Sequence, residues 1–216
     1  MLRLVSANLN YSSWSIRPWL ALKRAGLPFR THDVGLKTEE GWKDRILAFS
    51  GAGTVPILVD GSLSVHESLA ICEYVAELAP AAKLWPDDIK LRARGRAISC
   101  EMHSGFASLR QAMNHNLRGR ASRPPQSEAI DADIARILDI WQASLTSSGG
   151  PFLLGTFSIA DCMYFPVAAR FRTYGVRLPD FAQAYSAALF GLPEVHELEE
   201  LAKGTPPIPE YDSSLG

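Results

Sequence analysis

Apolar residues along the first eighty positions switch between two spacings. Leu2 to Ala7 is a short apolar run of strand length. Ile16, Trp19, Leu20 and Leu22 then recur at helical spacing and Gly26 follows. Ile16 to Ala25 is therefore expected as a helix that stops at the glycine. Phe29 to Val34 alternates as a second strand, and Thr38 to Ala48 is a weaker helix. Val55 to Val59 and Leu63 to His66 are short strands on either side of Asp60-Gly61. That dipeptide between apolar runs predicts a tight hairpin. Glu67 to Leu78 carries a helical stripe through Leu69, Cys72 and Val75. The order is β-α-β-α-β-β-α.

Beyond residue 79 the strand spacing disappears. Residues 80–87 hold Pro80 and Pro86 and few periodic apolar positions, which reads as a linker. A long helix is expected from about Asp87 to Asn116. A second runs from about Ser127 to Leu145, with Ile130, Ile134, Ile137, Leu138, Trp141 and Leu145 on one face. A third begins at Ser158, and shorter ones cover Pro179 to Phe190 and Pro193 to Ala202. The tail from Gly204, with three prolines, is expected as extended coil. The chain divides into an α/β N-terminal domain (1–79), a linker (80–87) and an all-α C-terminal domain (88–216).

Composition fits this picture. Of 216 residues 47% are hydrophobic and 21% charged, the balance of a packed globular protein and not of a disordered one. Lys plus Arg is 22 against 23 for Asp plus Glu, so no overall basic excess points to nucleic acid. No uncharged apolar run is long enough for a membrane span. The N-terminus lacks the pattern of a secretory signal. Cys72, Cys100 and Cys162 are scattered, with no CxxC pair and no zinc-ligand spacing. They suit a reducing cytoplasm, and no metal is expected.

Three local segments carry chemistry. The first is Asn10-Tyr-Ser-Ser-Trp-Ser15, which leads from the first strand into the first helix. Proline is tolerated early in a helix, where its missing N–H costs no bond. Pro18 therefore makes Ser15 the expected cap and leaves Ser12 and Ser13 in the loop before the helix. A hydroxyl there can donate to a thiolate, and the helix dipole lowers a nearby thiol's pKa. The second is Thr54-Val55-Pro56 before the hairpin. A cis bond at Pro56 would turn the Val55 backbone outward, where it could pair with an extended peptide. The third is His66-Glu67-Ser68, where a strand turns into a helix. Unpaired N–H groups at a helix start, with the Ser68 hydroxyl, suit a carboxylate. Glu67 suits an ammonium beside it. Together they match an amino-acid zwitterion.

These segments resemble the glutathione transferase family. The strongest match is Gly53-Thr-Val-Pro-Ile-Leu-Val-Asp-Gly61 followed by Val65-His-Glu-Ser-Leu-Ala-Ile-Cys-Glu-Tyr74. A second is Gly155-Thr-Phe-Ser-Ile-Ala-Asp161, similar to the family's C-terminal motif. There Ser158 and Asp161 form a capping box, whose role is folding. The resemblance implies a thioredoxin-like first domain with glutathione, the co-substrate, lying across it. Val55 would pair with the cysteinyl backbone, with Pro56 cis and Thr54 beside it. Glu67 and Ser68 would take the γ-glutamyl ammonium and carboxylate, and Trp42 would close over the glycine end.

The thiol-activating position is read as Ser13 or Ser12, with Asn10 next. A gapless overlay on the family's loop falls on Asn10, and a shifted loop falls on the serines. No cysteine stands at any of them, which argues against the branch of the family that works through its own thiol. Tyr11, Met102, His103, Phe106 and Arg172 are expected to face a small electrophilic substrate. Arg170 and Tyr174 are further candidates to meet an acidic substrate. His32, His115 and His196 are expected at the surface. The implied activity is transfer of the glutathione thiolate to an apolar electrophile. A glutathione-dependent isomerase of the zeta-like kind and a non-catalytic glutathione-binding module are alternatives. A homodimer is expected, with neither nucleic acid nor membrane as partner.

Overall fold

The computed structural model describes residues 1–35 and 40–215, the side chain of Ser214 excepted. Its N-terminal part is a mixed four-stranded sheet in the order β2-β1-β3-β4. β1 (Leu2–Ser6) lies parallel to β2 (Phe29–Asp33) and antiparallel to β3 (Ile57–Asp60). β3 turns through Gly61-Ser62 into β4 (Leu63–His66), with Asp60 opposite Leu63. Gly61 has φ +59°, a conformation glycine adopts without penalty.

Alternation along the strands sorts the core. Leu4 and Leu58 point to the face covered by α1 (Ser13–Arg24) and α3 (Ser68–Leu78) and join the main cluster. Val5 and Ile57 point the other way, to Ile46 of the short α2 (Trp42–Leu47). The expected second helix is thus shorter than Thr38 to Ala48. Its first two positions, 38 and 39, lie outside the described residues.

The rest of the chain is helical: α4 (Ile89–Ser104), α5 (Ala107–Ala112), α6 (Glu128–Ser148), α7 (Ile159–Thr173), α8 (Asp180–Phe190), α9 (Pro193–Lys203) and α10 (Pro209–Asp212). α7 is buried on every side, with only Arg172 half-exposed. A helix apolar all round belongs at the centre of a bundle, and α7 packs on both α1 and α4. One core cluster therefore runs from Leu4 and Ile16 through to Phe165 and Leu198. The Ser158–Asp161 capping box forms as the sequence indicates. Asp161 also accepts from Leu153 N and Tyr185 Oη, at 3.1 and 3.0 Å.

Three expectations are corrected. The cap of α1 is Ser12, whose Oγ accepts from Ser15 N, and Pro18 lies well inside the helix. Ser15 instead turns inward, and its Oγ accepts from Ala7 N. That bond ties α1 to the end of β1. The long helix from Asp87 to Asn116 is broken at Gly105-Phe106, where Phe106 takes φ +59°. A Cβ on Gly105 would stand 2.7 Å from Glu101 O, so the break uses the missing side chain. The tail is not plain coil. α10 folds back over the loop before α1, with Asp212 accepting from Tyr11 Oη at 2.9 Å and Asn116 Nδ2 at 2.7 Å.

Candidate active site

Two adjoining cavities open where α1, α2, α3 and the β3 approach converge. The larger, about 570 Å³, is lined by Trp14, Trp42, Lys43, Gly53, Thr54, Val55, Pro56 and Glu67. A volume of that order suits a small-molecule ligand. The smaller, about 240 Å³, shares Trp14, Trp42 and Val55, and continues past Ser12 and Ser13 to His115 and Arg170. The Val55–Pro56 bond is cis.

At the start of α1 the three candidate side chains are in different situations. Asn10 is fully buried and lines neither cavity. Its Nδ2 donates to Asn116 Oδ1 at 2.9 Å, and its Oδ1 accepts from Arg118 N at 3.0 Å. Its carboxamide is thus spent on joining the loop to the helical part. Ser12 caps the helix and donates to Ser15 Oγ at 2.9 Å. Ser13 accepts from Arg170 Nη2 at 3.2 Å and lines the smaller cavity. A guanidinium only donates, so Ser13 keeps its own proton for another partner.

Positive charge gathers behind this point. The guanidiniums of Arg17 and Arg110 both lie over Trp14, at 4.4 and 4.5 Å from its ring centre. Arg17 is buried, and its Nη1 reaches Ser68 Oγ at 3.4 Å. Burial, with repulsion from Arg110 and Arg170, pulls the Arg17 guanidinium down to about 9. Burial and Arg110 bring Arg170 to about 9 as well. Among the described residues none of these three arginines pairs with a carboxylate.

At the rim, Glu67 takes φ +73° immediately before α3, and its Oε2 lies 3.0 Å from His103 Nε2. Burial and the nearby Arg17 hold the His103 imidazole below its ordinary range. Ser68 is fully buried behind Glu67 and lines neither cavity.

Several expected positions fall elsewhere. Met102 is fully buried in the core, and Phe106 is buried at the α4–α5 break. Arg172 points away from the cleft: it pairs with Glu199 at 2.6 Å and stacks 3.7 Å over Phe190. Arg170 faces the cavity in its place. Tyr11 lines the smaller cavity, with its hydroxyl held by Asp212, Ile208 N and Arg118. His115 is not a surface residue. It is buried, its Nδ1 lies 3.0 Å from Asn10 O, and its Nε2 is unpartnered. A carbonyl only accepts, so Nδ1 carries the proton. Lys43, Asn114, His115 and Tyr211 complete the linings without having been legible as site residues. Burial pushes the Cys72 thiol up to about 12 and holds that of Cys162 well above its ordinary range, so both are inert. Among the described residues no His, Cys, Asp and Glu side chains cluster as a metal site, and no helix is long and apolar enough to cross a membrane.

Comparison with known proteins agrees with the architecture. The model for the glutathione S-transferase N-terminal domain matches residues 11–78, and that for the C-terminal domain matches residues 124–189. A probable maleylacetoacetate isomerase of Caenorhabditis elegans is 39% identical over 106 residues, 49% of this chain. The chain spans only 46% of that relative's length. The maleylacetoacetate isomerase of Rattus norvegicus is 27% identical over 172 residues, 78% of this chain and 77% of its own length. Among solved structures, a glutathione transferase homolog from Burkholderia with bound glutathione superposes with a TM-score of 0.73. It is 21% identical and the match covers 95% of this chain and 99% of that one, a likeness of fold.

Proposed function

Because the chain belongs to the glutathione S-transferase family, we propose that it binds glutathione in the larger cavity and activates its thiol beside Ser13. The observation that carries this reading is Ser13 itself. It sits at the N-terminus of α1, lines a cavity continuous with the Val55–Pro56 edge, and has a proton to give.

The lining fits the tripeptide group by group. Val55 lines the larger cavity and offers its backbone to the cysteinyl residue. Glu67 takes the γ-glutamyl ammonium, and the amides at the start of α3 take its carboxylate. Ser68 is buried behind Glu67, so its hydroxyl acts by holding Arg17 there. Trp42 and Lys43 close over the glycine end, where a cation suits a carboxylate. Glutathione supplies the thiol whose sulfur, once ionised, bonds to the electrophilic carbon of the second substrate. Ser13 donates a hydrogen bond to that sulfur, and the α1 N-terminus adds its partial positive charge. The second substrate occupies the smaller cavity, against Tyr11, Trp14 and Tyr211.

Arg170 in the smaller cavity favours one variant, isomerisation of an unsaturated acid whose carboxylate would meet a cation. The relatives named as maleylacetoacetate isomerases point the same way. The purified protein with glutathione and an aryl halide should release halide and consume thiol. With a cis-enedione acid the second reading expects conversion to the trans acid and no net loss of thiol. Neither reaction would leave a glutathione-binding role. The homodimer belongs to the same proposal, and light scattering of the free protein should return twice the chain mass.

A further inference from the structure

The Ser13 hydroxyl has a cation held against its back. Arg170 reaches it from α7 with Nη2, while its Nε donates to Met113 O at 2.8 Å and its Nη1 to Pro166 O at 3.2 Å. The two carbonyl bonds fix the guanidinium plane, so the third bond has one direction. Oγ accepts it and its proton turns elsewhere, and the wall that Ser13 shares with Arg170 is the smaller cavity. Ser12, one residue earlier, has its proton on Ser15.

The surroundings add charge of one sign. Arg17 faces this region from α1 and Arg110 from α5. His115, in the segment after α5, is kept neutral by burial and by Arg170. Arg172 of α7 acts on His115, and Tyr174, just past the end of α7, acts on Arg170. Burying charges without counter-ions is costly. An anion in the cavity relieves that cost.

We propose that Arg170 is a positioning residue for thiol chemistry in this cavity: bonded to Ser13 Oγ, it aims the serine proton at the sulfur and holds that sulfur as thiolate. This rests on the reading that glutathione binds beside Ser13. The chemistry is a single ionisation. The S–H bond breaks, the proton leaves to solvent, and the negative sulfur stays under the Ser13 hydroxyl and the Arg170 charge. Hydrogen bonds in series polarise one another, so the serine donates more strongly than an isolated hydroxyl.

The test first removes glutathione from the question. Ser13→Cys, in a Cys100→Ser background that removes the exposed native thiol, places a thiol at this position. Its alkylation rate by iodoacetamide against pH gives its pKa. The expected value lies below the ordinary value of about 8.5. Arg170→Gln should raise it by about one unit, a tenfold loss of thiolate at neutral pH. Arg170→Lys should fall between. Circular dichroism checks folding, and Arg170→Met is a second neutral variant if the first does not fold. An introduced thiol that titrates at its ordinary value, or equally with and without Arg170, overturns the proposal. The glutathione complex is then titrated by thiolate absorbance. Arg170→Gln should raise the bound thiol's pKa in the Ser13 protein and change it little in Ser13→Ala. An equal rise in both would show that Arg170 does not act through Ser13. A wild-type complex with an unshifted glutathione thiol would remove the functional reading itself.

Discussion

His103 Nε2, on α4, stands 3.0 Å from Glu67 Oε2 at the approach to α3. The helical part thereby reaches the rim of the cleft that the sheet part forms. Burial and the nearby Arg17 keep the imidazole below its ordinary range. At neutral pH the contact is a neutral N–H donated to a carboxylate, and Glu67 keeps its charge for an ammonium.

Glu67→Gln should therefore weaken glutathione strongly. A charge-assisted hydrogen bond contributes about 1.5–3 kcal/mol, or roughly ten- to a hundredfold in affinity. His103→Gln keeps a donor and should change affinity by less than about threefold at neutral pH. Calorimetric titration measures both. Unchanged affinity in Glu67→Gln would remove Glu67 from the site.

The clamp at Asn10 separates a structural residue from a chemical one. Asn10→Ala leaves Arg118 N without its acceptor and Asn116 Oδ1 without one donor. Each buried group left unsatisfied costs about 1–3 kcal/mol. Asn116 Oδ1 still accepts from Gly119 N, so the variant should lose about 1–3 kcal/mol in denaturant unfolding. Its bound glutathione thiol, at saturation, should keep the wild-type pKa. A raised pKa would restore Asn10 as the thiol's partner.

His115 makes stability depend on pH. Burial first, and then Arg170, lower its pKa well below the ordinary 6.5. Below pH 6.5 the unfolded chain takes up a proton that the folded chain refuses. The stabilising contribution is present above about 6.5 and is lost as pH falls toward the lowered folded value. The loss approaches about 1.4 kcal/mol per pH unit for one proton. His103 is also lowered and has the same sign, weakened by its exposure. His115→Gln should flatten, without abolishing, the fall in unfolding midpoint between about pH 6.5 and 5. An identical slope would mean that His115 protonates freely in the fold.

Asp161 is a fully buried carboxylate of the helical part. Leu153 N, Ser158 N, Ser158 Oγ and Tyr185 Oη all donate to it in the core. Asp161→Ala strands these donors and should cost more than about 3 kcal/mol. Thermal unfolding should show a large fall, with glutathione affinity little changed in whatever fraction stays folded. A near-neutral effect would contradict the capping role.

The features legible in the sequence are those fixed by neighbours in the chain. Asp60-Gly61 between two apolar runs is enough for a hairpin, and Ser158 with Asp161 is enough for a cap. Thr54, Val55, Pro56 and Glu67 line the larger cavity, and Ser68 does not. What was not legible depends on partners far away. Pro18 lies inside α1, and Ser15 is used by the distant Ala7 N and not as the cap. One glycine in a helical pattern does not announce a break, yet Gly105 with Phe106 at φ +59° ends α4. Arg170 and Arg172 sit roughly 200° apart around one helix. Only the packing of α7 decides that the first faces the cavity and the second Glu199. His115 lies in a polar loop segment and is buried only because the loop folds under the Asn10 carbonyl.

The central claim is that glutathione binds in this cleft with its thiol ionised beside Ser13. Ultraviolet thiolate absorbance of the saturated complex, titrated against pH, tests it directly. The account predicts a bound thiol pKa at least about one unit below the ordinary value near 8.5, restored toward that value in Ser13→Ala. Binding with an unshifted thiol, or no binding at all, would contradict it.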